Sequence, residues 1–446
     1  MISKRQAAKL FAICILLTIT TNFPSGFTNS SINTAVEELR RFINESYSQR
    51  DVALTEVEQT LIRSGTLNCW YIMQVFGYFF APFLTDRYGR KVAYLTATTG
   101  MLTAACLQYL ATLLALPELL VVGRSLCAFC SPISDASLLL YLQECSPLEM
   151  RGAFSFLCEI GYGSMCLLGM VLGMRTVLGD SLSRLLGTSI IPQLFFISCL
   201  IFIPETPKYL MITKNNRSAA LKSLKFFQGE RKEHENLLDE YAQEALEEGN
   251  AKRSSIREVI TVWHLRQAVI LGILVVVLTL SFFPVLQSST YFFIKANIAN
   301  GIAELSSTLL MLMMSMSSVT GTFLVDRFPR RKLLFLFASL QMLFLLLFVI
   351  TSTLSNSISW LKYACLASMG SFIIVYSMVV GPMSWFIASE LVPQRHRSTV
   401  FCLCFTVGNI LIAATNFVSI PLYEVSFMLK KELFYLFHSN IALSGP

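Results

Sequence analysis

The stretch FLTDRYGRKVAYL, residues 83–95, decides the fold because it returns later in the chain as FLVDRFPRRKLLF, residues 323–335. Both copies place a group of charges between apolar runs, in a chain that is 54% hydrophobic and only 14% charged. We call them the first and second basic boxes. Their charged residues are Asp86, Arg87, Arg90 and Lys91 in the first box and Asp326, Arg327, Arg330, Arg331 and Lys332 in the second. A sequence motif that occurs twice in one chain predicts a structural unit that also occurs twice.

A second motif repeats at almost the same distance. ECSPLEMR at residues 144–151 and ELVPQRHR at residues 390–397 share the spacing Glu-x-x-Pro-x-x-x-Arg. Its end positions are Glu144 and Arg151 in the first copy and Glu390 and Arg397 in the second. This motif is offset by 246 residues and the basic boxes by 240, so two homologous halves are predicted.

The composition identifies the chain as a helical membrane protein. Its mean hydropathy is +0.59, and it contains many apolar runs of about 20 residues, each long enough to cross a bilayer. The expected fold class is therefore all-α, with two pseudo-symmetric halves in a lipid bilayer. Eleven spans are predicted, at residues 10–28, 66–85, 92–115, 118–143, 153–175, 186–204, 267–293, 304–325, 333–353, 361–390 and 399–423.

These spans divide the chain into an N-terminal half at residues 1–204, a polar insert at 205–266 and a C-terminal half at 267–446. Strict alternation of the spans puts the N-terminus, both basic boxes and the insert on one side, which the positive-inside rule makes cytoplasmic. The plasma membrane is the expected location. The first span could instead be a cleaved signal peptide, but a retained helix is preferred.

The insert contains two stretches with helical apolar spacing, SAALKSLKFFQ and ENLLDEYAQEALEEG, which predict amphipathic helices under the membrane domain. A solvated charged linker is the alternative. On the other side, the loop at residues 29–65 holds the sequon Asn44-Glu45-Ser46, so glycosylation of Asn44 is predicted.

The C-terminal tail departs from a twelve-helix plan. Lys430, Lys431 and Glu432 interrupt the stretch where a twelfth apolar span would lie. The tail at residues 424–446 therefore indicates either a truncated isoform or gene model, or an amphipathic segment along the membrane interface.

Two six-helix halves joined by a cytoplasmic insert are the plan of a transporter whose solute site lies between the halves. Glu144 and Glu390 lie at predicted cytoplasmic helix ends, within reach of the arginines of the basic boxes. Such ion pairs form in one conformation and break when the helices spread. The repeated charges, including Arg151 and Arg397, are therefore predicted to form an inner gate, made once in each half.

Other classes of function lack support in the sequence. The net charge of +7 comes from short segments between apolar runs, which are topology signals and not a nucleic-acid surface. None of the four histidines has a partner for catalysis or a metal-ligand spacing, and no phosphate-binding glycine loop is present. No enzyme activity, cofactor or metal is expected, and the oligomeric state is left open.

Several short motifs together resemble the sugar porter family of the major facilitator superfamily, with the closest similarity to animal facilitative glucose and fructose transporters. They are DRYGRK, the Gly-Arg pair at residues 123–124, ECSPLEMRGAF, PETPKYL at 204–210, VDRFPRRKL and GPMSWFIASEL at 381–391. The resemblance implies alternating access and a bundle of intracellular helices in the insert. It also implies that Glu205 of the PETP motif helps to latch the inner side.

The resemblance also implies sugar-binding positions, and here the chain departs from the family. The family's helix-7 Gln, Gln and Asn align with Val277, Leu278 and Phe283, its helix-8 Asn lies near Met314, and its helix-5 Gln is Glu159. A hexose stripped of water needs many convergent hydrogen-bonding groups, and this cavity is expected to lack most of them. Trp385 occupies the family's helix-10 Trp position, and Gln287 is a further candidate for contacting the solute.

Two carboxyl groups lie within predicted spans, Asp135 and Glu159. Ionisable groups at membrane depth mark pathways, proton sites or counter-ions. The alternative is structural: Asp135 caps a kink after Pro132, and Glu159 lies in water near the cytoplasmic end. Proton-coupled members of the family carry an Asp on helix 1 where this chain has Thr28, which favours uniport.

Three functions follow. The first is facilitated diffusion of a sugar or similar small solute across the lipid bilayer. The second is proton-coupled or cation-type solute transport through Glu159 and Asp135. The third is a non-transporting sensor or regulatory relative.

Overall fold

The structure is a computed structural model that describes residues 4–147, 151–231, 233–250, 256–296, 298–355, 358, 360–392, 396 and 399–418. Throughout these ranges the chain forms helices and connecting turns, with no β-strand. Arg397 lies outside the described residues. So does the tail at 424–446, and its two interpretations from the sequence stay predictions.

The first half consists mainly of long helices. Its helices are α1 (Lys4–Thr34), α2 (Val36–Ser48), α3 (Glu56–Tyr88), α4 (Arg90–Leu113), α5 (Pro117–Cys145), α6 (Arg151–Gly173), α7 (Leu182–Thr188) and α8 (Ile190–Ile201). The polar segment that follows forms short helices. They are α9 (Pro207–Ile212), α10 (Arg217–Gln228), α11 (His234–Asn250) and α12 (Ile256–Thr261).

The second half repeats the pattern of long helices. Its members are α13 (Trp263–Val277), α14 (Phe282–Lys295), α15 (Asn300–Arg327), α16 (Arg330–Leu354), α17 (Leu361–Val375), a π-helical segment (Tyr376–Val380), α18 (Gly381–Glu390) and α19 (Thr399–Val418). The π-helical segment leads directly into Gly381 and Pro382, so the tenth span contains a π-helical turn in its middle. Such irregular turns are frequent at functional sites.

Eight helical segments within the described residues are long and apolar enough to cross a membrane, which confirms a multi-pass membrane protein. They comprise α1, α5, α7–α8, α13–α14, α15, α16, α17–α18 and α19. The three remaining predicted spans are covered by α3, α4 and α6, so within the described residues every predicted span overlaps one or two helices.

Within the first half, α1 packs along α6, while α3 and α4 both pack against α5. In the second half, α16 packs against α17. The two halves meet where α6 contacts α15 and where α1 contacts α14. A space between the halves therefore has walls from both.

The buried guanidinium of Arg124 ties three helices of the first half together. This α5 side chain has no exposed surface, donates hydrogen bonds to the carbonyls of Thr28 (2.7 Å) and Thr66 (3.0 Å), and lies over the ring of Trp70. Because hydrogen bonds from a charged donor to buried carbonyls are strong, Arg124 fixes α1 and α3 beside α5. It accounts for the Gly-Arg motif that the sequence analysis noted.

The two basic boxes turn differently. Gly89 in the first box has φ of +102°, which favours glycine, and a Cβ there would overlap the carboxylate of Glu205. Pro329 in the second box has φ of −59° and directly precedes α16. In the first box, an acidic side chain therefore approaches the turn closely.

Candidate functional site

A cavity of about 130 Å³ lies between the two halves. Since one water molecule needs about 10–15 Å³ on this measure, the cavity holds on the order of ten waters, a volume suited to a small solute. The helices that line it are α1, α3, α5 and α6 from the first half and α13, α14, α18 and α19 from the second, together with the π-helical segment and residues 278–281.

Glu159 and Trp385 form a contact between the halves in this cavity. The Glu159 side chain on α6 is 6% exposed, and the indole N–H of Trp385 on α18 donates a hydrogen bond to its carboxyl group. A Cβ on Gly381 would lie 3.2 Å from the Glu159 Oε1 atom, so the bare glycine backbone lets the carboxyl group approach. Glu159 lies eight residues beyond the start of α6 at Arg151, and so not at the helix end.

Asp135 lies on the neighbouring helix α5 of the same half. The α5 helix continues through Pro132 as a single element, and the Ser131 hydroxyl donates to the Asp135 Oδ2 atom at 3.2 Å. Asp135 lines the same cavity as Glu159 and Cys158. The structure therefore brings the two intramembrane carboxylates together around one space.

Aromatic side chains make up much of the cavity wall, a feature that the sequence analysis missed. Phe282 and Tyr376 form one pair, whose rings stack at 4.3 Å with an angle of 7°. Trp385 lies 4.9 Å from Phe405. The other aromatic residues of the wall are Trp70, Tyr71, Tyr78, Tyr162, Phe283 and Phe401. Part of this wall was visible in the sequence, because Tyr71, Gln74 and Tyr78 are spaced to share one helix face.

The positions aligned with the family's sugar-binding residues have different surroundings. Phe283 lines the cavity. Val277 is 38% exposed, Leu278 packs against an apolar core, and Met314 is buried in that same core. The Gln287 side chain lies outside the described part of the chain.

Other polar groups line the cavity in their place. Those without charge are Asn22, Gln74, Ser131, Gln143, Thr279, Ser384 and Asn409. Nearby, the Asn29 amide donates to the Tyr162 hydroxyl at 2.9 Å. The Asn416 amide lies beside Tyr71, and its oxygen and nitrogen are buried without a hydrogen bond of ordinary geometry. The cavity therefore contains hydrogen-bonding groups that the alignment did not identify.

One membrane end of the helices carries the basic boxes, and we call it the basic end. There Arg90 of α4 pairs with Glu144 of α5 through two hydrogen bonds, from Nε at 3.1 Å and Nη2 at 2.9 Å. Their side chains are 13% and 7% exposed. The Thr206 hydroxyl donates to the second Glu144 oxygen, which attaches the segment after α8 to the same pair.

Glu205 joins this cluster through backbone contacts. Its Oε2 atom accepts from the Lys91 amide at 2.9 Å, and its Oε1 atom accepts from the Thr206 amide at 2.8 Å. The Lys91 ammonium donates to the Ile201 carbonyl. Burial is the largest influence on Glu205 and raises the pKa of its carboxyl group above the ordinary value.

A pH-dependent stability difference follows for Glu205. A carboxyl group with a raised pKa in the folded state binds its proton more tightly there than in the unfolded state, so its contribution is present at low pH and lost as pH rises. We measure the melting temperatures of the wild-type chain and of Glu205→Gln in detergent. The difference between them, wild type minus variant, is expected to decrease as the pH is raised from 4.5 to 8. The exposed Glu230→Gln should show no such trend. A difference that grows with pH would mean that the two backbone hydrogen bonds outweigh burial.

The other residues predicted for the gate are more exposed or lie outside the described residues. Asp86, Arg87, Arg327, Arg330 and Arg331 are exposed at the basic end. The described structure does not include the side chains of Arg151, Asp326 and Glu390. It does not include any part of Arg397. The structure therefore brings together the first-half members Arg90, Lys91, Glu144 and Glu205.

The opposite membrane end is closed by contacts between the halves. The Asn33 amide of α1 donates to the Leu286 carbonyl at 2.9 Å and to the Ser289 hydroxyl at 3.0 Å. The Arg63 guanidinium lies 4.8 Å from the centre of the Tyr291 ring. Toward the basic end, in contrast, the cavity extends as far as Gln143, the residue before Glu144.

The predicted glycosylation site lies in helix α2. Asn44 is half-buried, and Ser46 of the sequon is buried with its hydroxyl donating to the Phe42 carbonyl at 2.7 Å. Modification of Asn44 stays a prediction.

Two helical halves around a central cavity define a major facilitator transporter. The same fold is found in the proton:xylose symporter XylE bound to 6-bromo-6-deoxy-D-glucose, which is 16% identical and covers 95% of this chain and 90% of its own, with a TM-score of 0.76. A partially occluded inward-open structure of the xylose transporter XylE from E. coli gives a TM-score of 0.74 at 16% identity, covering 91% of this chain and 92% of its own.

The chain belongs to the family described as Sugar (and other) transporter, whose model matches residues 13–435. Similar curated proteins include solute carrier family 2, facilitated glucose transporter member 3, from Ovis aries. It is 24% identical over 93% of this chain and 86% of its own length. The human member 3 is 24% identical over 91% and 84%. The predicted fold class, the predicted family and the expectation of a transporter instead of an enzyme are thereby confirmed.

Proposed function

We propose that this chain carries a monosaccharide-sized polyhydroxylated solute across the plasma membrane by facilitated diffusion. The observation that carries the proposal is the central cavity, which is shared by both halves and lined by polar side chains on six helices, α1, α3, α5, α6, α18 and α19. Each hydroxyl group of a sugar must regain hydrogen bonds when it leaves water, and convergent amides and hydroxyls supply them. The names of the family and of its glucose-transporting relatives agree with this solute class.

The contacts at the two membrane ends support alternating access. The Asn33 and Arg63 contacts hold the halves together at one end, while the cavity extends to Gln143 at the other. With the N-terminus in the cytoplasm, this conformation faces inward. In the outward-facing conformation, the Asn33 contacts break and the halves close at the basic end.

The first-half cluster is proposed as one side of the inner gate. Arg90, Glu144 and Glu205 hold the ends of α4, α5 and the segment after α8 as one unit. A rigid unit of this kind transmits the rocking of one half to its cytoplasmic surface. The second basic box, with Glu390 and Arg397, is proposed to do the same for the other half.

Uptake of radiolabelled glucose into proteoliposomes tests the proposal. We expect saturable uptake whose initial rate is the same with and without an inward proton gradient, because a uniporter moves no proton with its solute. If Glu159 and Asp135 instead couple transport to protons, the gradient will accelerate wild-type uptake and Glu159→Gln will abolish that acceleration. Absence of saturable uptake in folded, correctly inserted protein would contradict hexose transport and favour another solute or the sensor role.

A further inference from the structure

Among its described lining residues, the cavity has acidic side chains without basic ones. Glu159 and Asp135 line it, and no lysine, arginine or histidine of the described chain does so. The hydrogen-bond donors identified for the two carboxyl groups are neutral: the indole of Trp385 for Glu159 and the hydroxyl of Ser131 for Asp135. A carboxylate buried with neutral donors alone is costly, and a cation entering the cavity would offset that cost.

The walls around these carboxylates suit an organic cation. Trp385, Tyr376, Phe405 and Tyr78 line the cavity together with the carboxylates, and aromatic faces attract ammonium groups through their quadrupoles. Trp70 is a further wall residue, and its ring already has the Arg124 guanidinium over it, 5.9 Å from its centre. The first half therefore uses a cation–aromatic contact within its own structure.

A bare metal ion fits this site less well. Calcium and magnesium take six or more oxygen ligands, often including several carboxylates. No group of three or more His, Cys, Asp or Glu residues that could hold a metal occurs among the described residues. Two carboxylates, aromatic rings and neutral amides such as Asn22 and Asn409 instead match a solute that carries both an ammonium group and hydroxyl groups.

We propose that the cavity selects a hydroxylated solute bearing a protonated amine, of the amino-sugar class, with Glu159 and Asp135 as counter-charges for the ammonium group. The inference rests on the proposed function, because it assigns the solute class of the same transport cavity. The amide and hydroxyl side chains contact the hydroxyl groups of the solute. The aromatic walls exclude water and thereby strengthen the ion pairs.

The test compares two solutes that differ in one group: glucosamine, with an ammonium at carbon 2, and glucose, with a hydroxyl there. Uptake of each is measured separately in proteoliposomes at pH 6.5. N-acetylglucosamine, which is bulkier and neutral, controls for size. We expect kcat/KM for glucosamine to exceed that for glucose by roughly tenfold or more, because a charged hydrogen bond contributes about 1.5–3 kcal/mol.

Variants separate a charge effect from a structural one. Glu159→Gln and, independently, Asp135→Asn are expected to reduce the ratio of glucosamine to glucose uptake by roughly tenfold. The control Glu230→Gln makes the same chemical change at a side chain that is 85% exposed, and it should leave the ratio unaltered. Having both variants keeps the test valid if one of them does not fold.

Each outcome bears on a different proposal. Equal kcat/KM for the two solutes, or loss of both uptakes in parallel in the two variants, would overturn the amine inference and leave glucose transport standing. Uptake of glucosamine without glucose would support the amine inference and contradict neutral hexose as the solute. Uptake of neither solute would overturn both.

Discussion

Replacing Glu144 with alanine is expected to lower the free energy of unfolding by about 3–5 kcal/mol, the usual cost of removing one partner from a buried ion pair. Glu144 is 7% exposed and Arg90 13%, and two hydrogen bonds join them. The substitution leaves the Arg90 guanidinium buried beside an apolar methyl group. It also removes the acceptor of the Thr206 hydroxyl, so the segment after α8 loses an attachment.

Thermal unfolding of the purified chain in detergent measures this effect. The double variant Arg90→Met/Glu144→Leu should be less destabilised than Glu144→Ala, because it removes the charge as well as its partner. Arg217→Ala provides the matched control. That side chain is 46% exposed and pairs with Glu235 and Asp239 at the surface, where an ion pair contributes about 0–1 kcal/mol. Equal losses for Arg217→Ala and Glu144→Ala would contradict a special role for the buried pair.

Replacing Trp385 with alanine is expected to reduce kcat/KM for the transported solute by roughly tenfold to hundredfold. The substitution removes a ring surface from the cavity wall and the N–H donor to Glu159. Losing a hydrogen bond to a charged group costs about 1.5–3 kcal/mol, and lost aromatic packing adds about 0.5–1.5 kcal/mol. A difference of 1.4 kcal/mol corresponds to about tenfold.

Trp385→Phe divides this effect into its two parts. Phenylalanine keeps a ring against Phe405 but donates no hydrogen bond, so its loss should lie between wild type and Trp385→Ala. Trp360→Ala, at a side chain that is 65% exposed and outside the cavity, is the control and should transport as wild type does. Uptake by Trp385→Ala within about twofold of wild type would show that the solute does not contact this ring.

The sequence by itself determined the class of the molecule and its two-fold repeat. Apolar runs of about 20 residues predict membrane-spanning helices, because an α-helix satisfies all its backbone hydrogen bonds within one segment and lipid offers no other partners. The recurrence of the basic boxes at Asp86 and Asp326 is a linear feature, because each box is a single turn between two consecutive spans. For the same reason every predicted span overlaps helical structure in the described part of the chain.

Only the tertiary structure decided what surrounds each functional side chain. Glu159 and Asp135 are 24 positions apart and lie on different helices, yet they share one cavity. The alignment named Val277, Leu278 and Met314, but the break between α13 and α14 and the π-helical turn at Tyr376 place Phe282 and Tyr376 at the cavity instead. Which face of a buried helix points into a cavity depends on how helices from two distant parts of the chain rotate and pack. In a span that is apolar on all sides, the sequence carries no periodic signal to reveal that face.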